Sequence, residues 1–132
     1  MAKILIVEDN ALNVKLFCDL LAAHGHDARP VTDGRYALDR AREFQPDLVI
    51  TDIQLPHVTG LDLIRMIRDD EQLKDVPIMA VTAYAAAPDE ERIRAAGAQA
   101  YVSKPISVAK FVAQVNELLG IEASERKAPA AI

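Results

Sequence analysis

Charged and hydroxyl side chains follow four short apolar runs of this sequence, and their types could carry out chemistry. Glu8 and Asp9 follow the first run, Asp52 the second, Thr82 the third and Lys104 the fourth. If these runs are parallel strands, their carboxyl ends gather the acids, the hydroxyl and the ammonium at one edge of a sheet. Crowded carboxylates repel one another unless a cation or a proton intervenes. Their oxygen atoms suit Mg²⁺, which keeps several waters and leaves room for a phosphate, so the set predicts phosphoryl chemistry.

Asp52 is the central residue of this set. A lone aspartate at a strand end is commonly a turn or cap residue, but acids crowded at adjoining strand ends destabilise a fold and raise at least one pKa. We therefore expect Asp9 and Asp52 to hold Mg²⁺ while an oxygen of Asp52 attacks a phosphoryl donor and forms an acyl phosphate. The metal would neutralise charge on the transferring group.

Two interpretations stay open for Lys104, Thr82 and Tyr101. Lys104 is either a solvated charge or the cation that pairs with a carboxylate and then with phosphate oxygens. A cis Lys104–Pro105 bond, which proline makes accessible, would aim its ammonium. Thr82 is either a β-former placed for propensity or a functional hydroxyl. The sequence slightly favours Tyr101 as a half-buried strand aromatic.

The elements that position these residues follow from the apolar pattern. Short apolar runs alternate with segments of helical period, which predicts repeated βα units. The predicted strands are 4–7, 28–31, 48–51, 78–82 and 100–103. Asn10 is expected to cap the first helix, which stops at Gly25, and Ser107 to cap the last. The positions assigned to the buried faces of these two helices are Leu12, Leu16, Phe17, Leu20, Leu21, Val108, Phe111, Val112, Val115, Leu118 and Leu119. The fold class is α/β, a doubly wound five-stranded parallel sheet with five helices.

Composition narrows the function classes. The chain has 132 residues, which suits one domain over 1–120, and 121–132 is expected to be a disordered C-terminal tail. A net charge of −5 without a basic cluster argues against nucleic-acid binding. Cys18 is the one cysteine, so no internal disulfide forms, and it is interpreted as a small core residue. No apolar run is long enough to span a bilayer, and we expect a cytoplasmic protein. His24, His26 and His57 are interpreted as exposed.

Four segments together resemble the receiver domain of two-component response regulators, from Lys3 to about Leu119. They are ILIVEDN at 4–10, DLVITDIQLP at 47–56 with Gly60, AVTA at 80–83 and YVSKP at 101–105. Each is weak evidence alone, but all four in order at the right separations are highly specific. Within the family, the sequence looks most like a single-domain type of cell-cycle regulator. The resemblance implies a flavodoxin-like, CheY-like fold.

The resemblance also implies a role for each site residue. Asp52 would be the phosphoacceptor, with Asp9 binding Mg²⁺ directly and Glu8 acting through water. The backbone carbonyl of Gln54 would be a further metal ligand, and Lys104 would contact the phosphoryl group. Thr82 would swing toward the phosphoryl group, and Tyr101 would turn inward to report the change. A histidine kinase or a histidine phosphotransfer protein would supply the phosphoryl group. The output would be a contact with another protein through the fourth helix, the last strand and the last helix. The protein would be a monomer or a weak homodimer. It would not be a conventional enzyme, and at most it would catalyse its own phosphorylation and dephosphorylation.

Two other function classes compete with this interpretation. A phosphatase of the haloacid dehalogenase kind also uses an aspartyl phosphate, Mg²⁺ and a lysine. Its nucleophile should be followed two residues later by a second aspartate, and that position here is Gln54. A receiver-like scaffold that is never phosphorylated is the other alternative. The sequence argues against it because every chemical position is filled.

Overall fold

Five parallel strands form one sheet in the computed structural model, which describes residues 2–83, 87–104 and 106–120. The strands are β1 (Lys3–Val7), β2 (Asp27–Val31), β3 (Leu48–Asp52), β4 (Ile78–Thr82) and β5 (Ala100–Ser103). Their order across the sheet is β2-β1-β3-β4-β5, so the chain winds outward in both directions from β1 and β3. The predicted doubly wound parallel sheet is confirmed, and the carboxyl ends of its strands form one edge.

Helices cover both faces of this sheet. They are α1 (Ala11–Ala23), α2 (Ala37–Phe44), α3 (Gly60–Arg68), α4 (Ala87–Ala96) and α5 (Val108–Leu118), with a 3₁₀ turn at Gly34–Tyr36 before α2. Buried side chains of α1 and α5 pack on one face, and those of α2, α3 and α4 pack on the other. Burial on both faces explains why β3 and β4 are apolar along almost their whole length.

The predicted helix caps are present. The side-chain oxygen of Asn10 accepts hydrogen bonds from the backbone N–H groups of Leu12 at 3.0 Å and Asn13 at 3.1 Å. The hydroxyl of Ser107 accepts one from the N–H of Lys110 at 3.4 Å. These bonds satisfy donors that have no partner within the helix. The caps therefore fix where α1 and α5 begin, next to the carboxyl ends of β1 and β5.

The two helices of one face meet through an aromatic pair. The rings of Phe17 and Phe111 are stacked with centroids 5.1 Å apart and an interplanar angle of 16°. Both side chains are fully buried against the strands. Burying an aromatic side chain of this size stabilises a fold by about 1.5–3 kcal/mol. This contact sets the spacing of α1 and α5 below the charged edge.

Two leucines and one valine that we predicted to be buried are exposed instead. Leu12 is 79% exposed, Leu16 38% and Val108 48%. At about 100° per residue, Leu12 and Leu16 lie well away from the face of α1 that buries Phe17. Val108 shares the face of Phe111, so its exposure shows that close packing on the sheet begins one turn into α5. The prediction was wrong because an apolar side chain is not obliged to be buried.

His26 is buried, contrary to the prediction that it is exposed. Only 9% of the residue is accessible, and its Nδ1 accepts a hydrogen bond from the N–H of Ala2 at 3.2 Å. The turn after α1 folds beneath the start of β1, where the N–H of Asp27 also donates to the carbonyl of Ala2 at 2.8 Å. Burial lowers the pKa of His26. His24 and His57 are exposed as predicted, and Cys18 is partly buried against the core between α1 and α5.

Some predictions concern parts of the chain outside the described residues. The tail at 121–132 and the bond between Lys104 and Pro105 belong to this group. Both stay predictions. Among the helices of the described ranges, none has the length and apolar content needed to cross a bilayer.

Candidate functional site

Three acidic side chains converge at the carboxyl edge of the sheet. Glu8 and Asp9 follow β1, and Asp52 ends the neighbouring strand β3. A carboxylate oxygen from each of them lies within 4.8 Å of the others. Glu8 is only 1% exposed and Asp52 6%, whereas Asp9 is exposed. The cluster therefore has two buried acids beneath one acid that is open to solvent.

Lys104 joins the two buried acids. Its Nζ donates to Oδ2 of Asp52 at 2.9 Å and to Oε1 of Glu8 at 3.2 Å. The lysine directly follows β5, so its side chain reaches over the end of β4 to arrive at the acids. Hydrogen bonds between charged groups of this kind are shorter and stronger than neutral ones. This geometry disagrees with the interpretation in which Lys104 is only a solvated surface charge.

The carboxylate of Asp52 has a fixed orientation. Its Oδ1 accepts a hydrogen bond from the backbone N–H of Gln54 at 3.1 Å, while Oδ2 accepts from Lys104. The hydroxyl of Thr51 donates to the backbone carbonyl of Asp52 at 2.9 Å. Both carboxylate oxygens are therefore held in place by donors. Such a preset orientation is what a nucleophile requires.

Gly60 supports Asp52 from behind. Its N–H donates to the carbonyl of Ile53 at 2.9 Å, which closes the loop between β3 and α3. A Cβ at Gly60 would lie 2.2 Å from the carbonyl oxygen of Asp52 and 2.6 Å from the Cα of Ile53. No side chain fits in that space, because both neighbours are backbone atoms. Sequence reasoning treated Gly60 only as part of a motif and missed this supporting role.

Asn13 is a second residue that sequence reasoning missed. Its Nδ2 donates to Oε1 of Glu8 at 3.2 Å, and the N–H of Asn10 donates to Oε2 of the same carboxylate at 3.2 Å. The available signal was its spacing, because residues three apart on a helix share a face. Asn13 lies three positions after the cap Asn10. The first turn of α1 thus holds Glu8 in place as well as capping the helix.

The charged groups in this cluster shift one another's pKa values. Burial raises the pKa of Glu8, and the negative charge of Asp52 adds to the effect, while the N–H of Asn10 opposes it. The pKa of Lys104 is raised as well. Burial acts to lower it, but the hydrogen bond and the charge of Asp52 outweigh that effect. One ammonium among three acids leaves net negative charge, so an additional cation would relieve the repulsion.

The donor set fits a hard divalent cation. The oxygen atoms are carboxylate oxygens, which Mg²⁺ prefers and which soft metals do not select. Asp9 is exposed and gives access from solvent, while Glu8 and Asp52 are held by their hydrogen-bond donors. Among the residues that the structure describes, this is the one group of three or more such side chains placed to share a metal.

Thr82 and Tyr101 lie at different distances from the acids. Thr82 ends β4, between Asp52 and Lys104 across the sheet, and its backbone carbonyl accepts the N–H of Lys104 at 2.7 Å. It is 1% exposed. Tyr101 pairs with Ala80, two residues before the end of β4, and lines a groove between α4 and α5. Thr82 is therefore part of the charged edge, and Tyr101 lies beside it.

Comparison with known proteins assigns the family. Residues 4–116 match the response regulator receiver domain. The chain therefore belongs to the response regulator receiver family. It is 51% identical to the polar-differentiation response regulator DivK of Brucella ovis over 117 residues, which cover 89% of this chain and 95% of that protein. DivK of Brucella anthropi is 50% identical with the same coverage.

Solved structures share the fold. The receiver domain of the sensor histidine kinase PA1611 from Pseudomonas aeruginosa, with a magnesium ion coordinated in its active site cleft, superimposes with a TM-score of 0.83 at 33% identity. The match covers 90% of this chain and 98% of that one. The chemotaxis protein CheY4 of Vibrio cholerae gives a TM-score of 0.85 at 26% identity, with 89% and 98% coverage. The chain is thus a DivK-like response regulator, a phosphoacceptor of two-component signalling that interacts with histidine kinases or phosphotransfer proteins.

Proposed function

We propose that Asp52 is the residue that accepts the phosphoryl group. The observation that supports this most directly is the pair formed by its buried carboxylate and Lys104, 2.9 Å apart beside two further acids. A buried, oriented carboxylate next to a cation is suited to nucleophilic attack and to holding the anionic product. Asp9 is the more exposed acid and faces the solvent from which a donor would approach.

The transfer forms one bond and breaks one. A carboxylate oxygen of Asp52 attacks the phosphorus of a phosphohistidine on a histidine kinase or a phosphotransfer protein. The phosphorus–nitrogen bond breaks, and its electron pair returns to the imidazole ring of the donor. The product is an aspartyl phosphate, a mixed anhydride. Lys104 is placed to contact the phosphoryl oxygens once Asp52 carries them.

Glu8, Asp9, Asp52 and the backbone carbonyl of Gln54 are the residues that would hold Mg²⁺. When bound, the ion neutralises charge on the transferring group. Glu8 contributes through its buried carboxylate, which Asn10 and Asn13 keep aimed at the cluster. The exposed Asp9 contributes a ligand that needs no rearrangement of the core.

The phosphoryl group then acts as a switch. It adds about −1.5 to −2 charges and strong acceptor oxygens at Asp52. Thr82 ends the strand between those of Asp52 and Lys104, and its hydroxyl would swing toward those oxygens and draw the end of β4 inward. Tyr101 would follow into the vacated space, and the face of α4, β5 and α5 would change shape. Phosphorylation therefore alters a surface that a partner protein can read.

That face is the proposed output surface. A groove of about 530 Å³ runs between α4 and α5 and includes Arg94, Tyr101 and Lys110 in its lining. A downstream protein would bind there in one state of the switch. The protein itself would work in the cytoplasm as a monomer or weak homodimer, with 1–120 as the receiver domain.

Labelling with acetyl phosphate tests the assignment of Asp52. In the presence of Mg²⁺, the parent protein should take up one hydroxylamine-sensitive phosphate per chain, and Asp52→Asn should take up none while keeping the same circular dichroism spectrum. Asp62→Asn is the matched control, because Asp62 is an exposed aspartate on α3 whose side chain is 60% accessible. Labelling of Asp52→Asn at the parent rate would show that the nucleophile is another residue.

A further inference from the structure

Three hydrogen-bond donors converge on the buried carboxylate of Glu8. Its Oε2 accepts the backbone N–H of Asn10 at 3.2 Å. Its Oε1 is shared by the Nδ2 of Asn13 and the Nζ of Lys104, each at 3.2 Å. Because the side chain of Glu8 is only 1% exposed, water cannot readily replace a donor that is lost. The orientation of this carboxylate therefore depends on the start of α1 and on the residue after β5.

The two donors on Oε1 differ in how freely they can move. The amide of Asn13 extends from the first turn of α1, where its own backbone N–H donates to the capping side chain of Asn10 at 3.1 Å. Phe17, one turn further along the same helix, is fully buried against the sheet. The ammonium of Lys104 instead lies at the end of a long side chain that is 23% exposed. Asn13 is therefore the fixed donor to Glu8, and Lys104 is the movable one.

Lys104 exchanges one of its acceptors when Asp52 is phosphorylated. An ammonium has three donors, and the structure shows two of them in use, on Asp52 and on Glu8. The proposed transfer makes one oxygen of Asp52 the bridging oxygen of a mixed anhydride, so its carboxylate loses its charge. The phosphoryl oxygens take over as acceptors for the ammonium. Glu8 takes no part in these bond changes and keeps its charge, so it can anchor Lys104 in both states.

We propose that Asn13 is a positioning residue for phosphoryl transfer: its amide holds Glu8 so that Glu8 keeps the ammonium of Lys104 directed at the phosphoryl group. This inference rests on the proposed function of Asp52 and Lys104. Asn13 acts through Glu8, the carboxylate to which it donates, and it takes no part in the transfer itself. The supporting observation is that one oxygen of Glu8 accepts from Asn13 and from Lys104 at the same time.

Loss of the Asn13 amide should affect the two states unequally. In the resting protein, the charged carboxylate of Asp52 holds Lys104 as well, and Glu8 keeps its bond from Asn10. Once Asp52 carries a phosphoryl group, the position of the ammonium relies on Glu8. A ligand's affinity changes only by the difference between the effects on the two states. We therefore expect a phosphoryl mimic to bind about threefold to tenfold more weakly, and Mg²⁺ no more than about twofold more weakly.

Titration with beryllium fluoride, which takes the place of the phosphoryl group on Asp52, measures this effect in saturating Mg²⁺. Followed by the backbone amide signal of Thr82, Asn13→Leu should bind the mimic about threefold to tenfold more weakly than the parent. Its Mg²⁺ affinity, from a separate titration without the mimic, should stay within about twofold of the parent value. Leucine is a better helix former than asparagine, so α1 itself should not be weakened. Equal mimic affinity of the parent and Asn13→Leu would overturn this inference alone, and so would an equal loss of affinity for both ligands.

Two further variants separate the role of Asn13 from a general effect on the fold. Gln72→Leu is the matched control, because it removes the same kind of amide at an exposed position before β4, and it should bind both ligands like the parent. In the background of Glu8→Met, which has no carboxylate for the amide to hold, Asn13→Leu should cause no further loss of mimic affinity. A full further loss would show that Asn13 acts by another route and would overturn the inference. A parent that binds no beryllium fluoride would overturn the proposed function of Asp52 and this inference with it.

Discussion

Lys104 and Asp52 form a 2.9 Å ion pair although 52 residues separate them in the chain. They extend from β5 and β3, so the pair spans the end of the intervening strand β4. Thr82 is the last residue of that strand. A phosphoryl group on Asp52 would therefore lie close to both the ammonium of Lys104 and the end of β4. This one relationship connects the site to the strand whose movement is proposed to carry the signal.

Removing the ammonium of Lys104 should destabilise the fold. In Lys104→Met, the buried carboxylates of Glu8 and Asp52 lose their shared cation. Because the site is partly open to water, we expect the free energy of unfolding to fall by about 1–3 kcal/mol, less than for a fully buried pair. Urea denaturation in EDTA measures this. Added Mg²⁺ should restore more stability to the variant than to the parent.

Lys15→Met is the control for that change. Lys15 pairs with Asp19 at 2.9 Å on the exposed face of α1, where solvent screening leaves a pair of this type contributing little to stability. Equal losses in the two variants would contradict a special role for Lys104 in neutralising the acids.

A methyl group at Gly60 should damage the site through the backbone. The added Cβ of Gly60→Ala would collide with the carbonyl of Asp52, so the peptide must shift and the carboxylate with it. We expect a loss of about 2–3 kcal/mol of stability and a clear drop in acetyl phosphate labelling. Gly25→Ala is the comparison. Gly25 has a φ of +82° but nothing within 4 Å of its added Cβ, so it should lose about 1 kcal/mol and keep its labelling. Normal labelling of Gly60→Ala would contradict the supporting role.

Stability should fall on acidification because of His26. Its pKa is lowered in the folded state, mainly by burial, so the unfolded chain binds the proton more readily. The resulting stability is present above the unfolded pKa of about 6.5 and is lost as the pH falls through that value toward the folded pKa. Protonation also removes the acceptor for the N–H of Ala2. The free energy of unfolding should therefore decrease between pH 7.5 and pH 5.

His26→Asn isolates this contribution, since an amide oxygen can accept the same hydrogen bond without titrating. The variant should lose less stability than the parent over this pH range. The difference between the stability profiles of the parent and the variant cancels the contribution of Glu8, whose raised pKa makes the fold more stable on acidification. His24→Asn removes only the charge of a neighbouring histidine, which is a smaller cause of the lowered His26 pKa than burial, so its pH profile should stay closer to that of the parent than the profile of His26→Asn does. Identical pH profiles for the parent and His26→Asn would contradict the prediction.

Glycine at the end of α2 should stabilise the protein. Gln45 caps this helix with a φ of +52°, in the left-handed region that favours glycine. Gln45→Gly relieves this strain and should raise the free energy of unfolding by about 0.5–1 kcal/mol. Glu43→Gly, two residues earlier inside the helix, should lower it by about 1 kcal/mol. Thermal unfolding distinguishes the two, and a lower melting temperature for Gln45→Gly would contradict the assignment of strain.

The sequence was sufficient to predict the sheet and which charged and hydroxyl residues meet at its carboxyl edge. Glu8, Asp52, Thr82 and Lys104 each follow or end an apolar run, and parallel strands bring such positions to one edge. Gly60 and Asn13 were not recognised, because their roles depend on distances of a few ångströms between loops and helix turns. Spacing along the chain does not contain that information.

Burial was harder to predict than secondary structure. Leu12 and Leu16 satisfy a helical pattern, yet α1 packs only the side that carries Phe17 and Leu21. His26 looked like an ordinary polar residue of a turn, but the start of β1 covers it. In both cases the outcome depends on how an element is rotated against its neighbours, which the apolar pattern of one segment leaves undetermined.

The order in which Glu8, Asp52 and Lys104 appear along the chain has a consequence during synthesis. Translation delivers the acids first and the ammonium last, with β5 completing the sheet. A nascent chain still inside the ribosome thus carries unbalanced carboxylates and lacks its lysine. The contacts of Lys104 with Glu8 and Asp52 can therefore form only after the whole sheet has been synthesised.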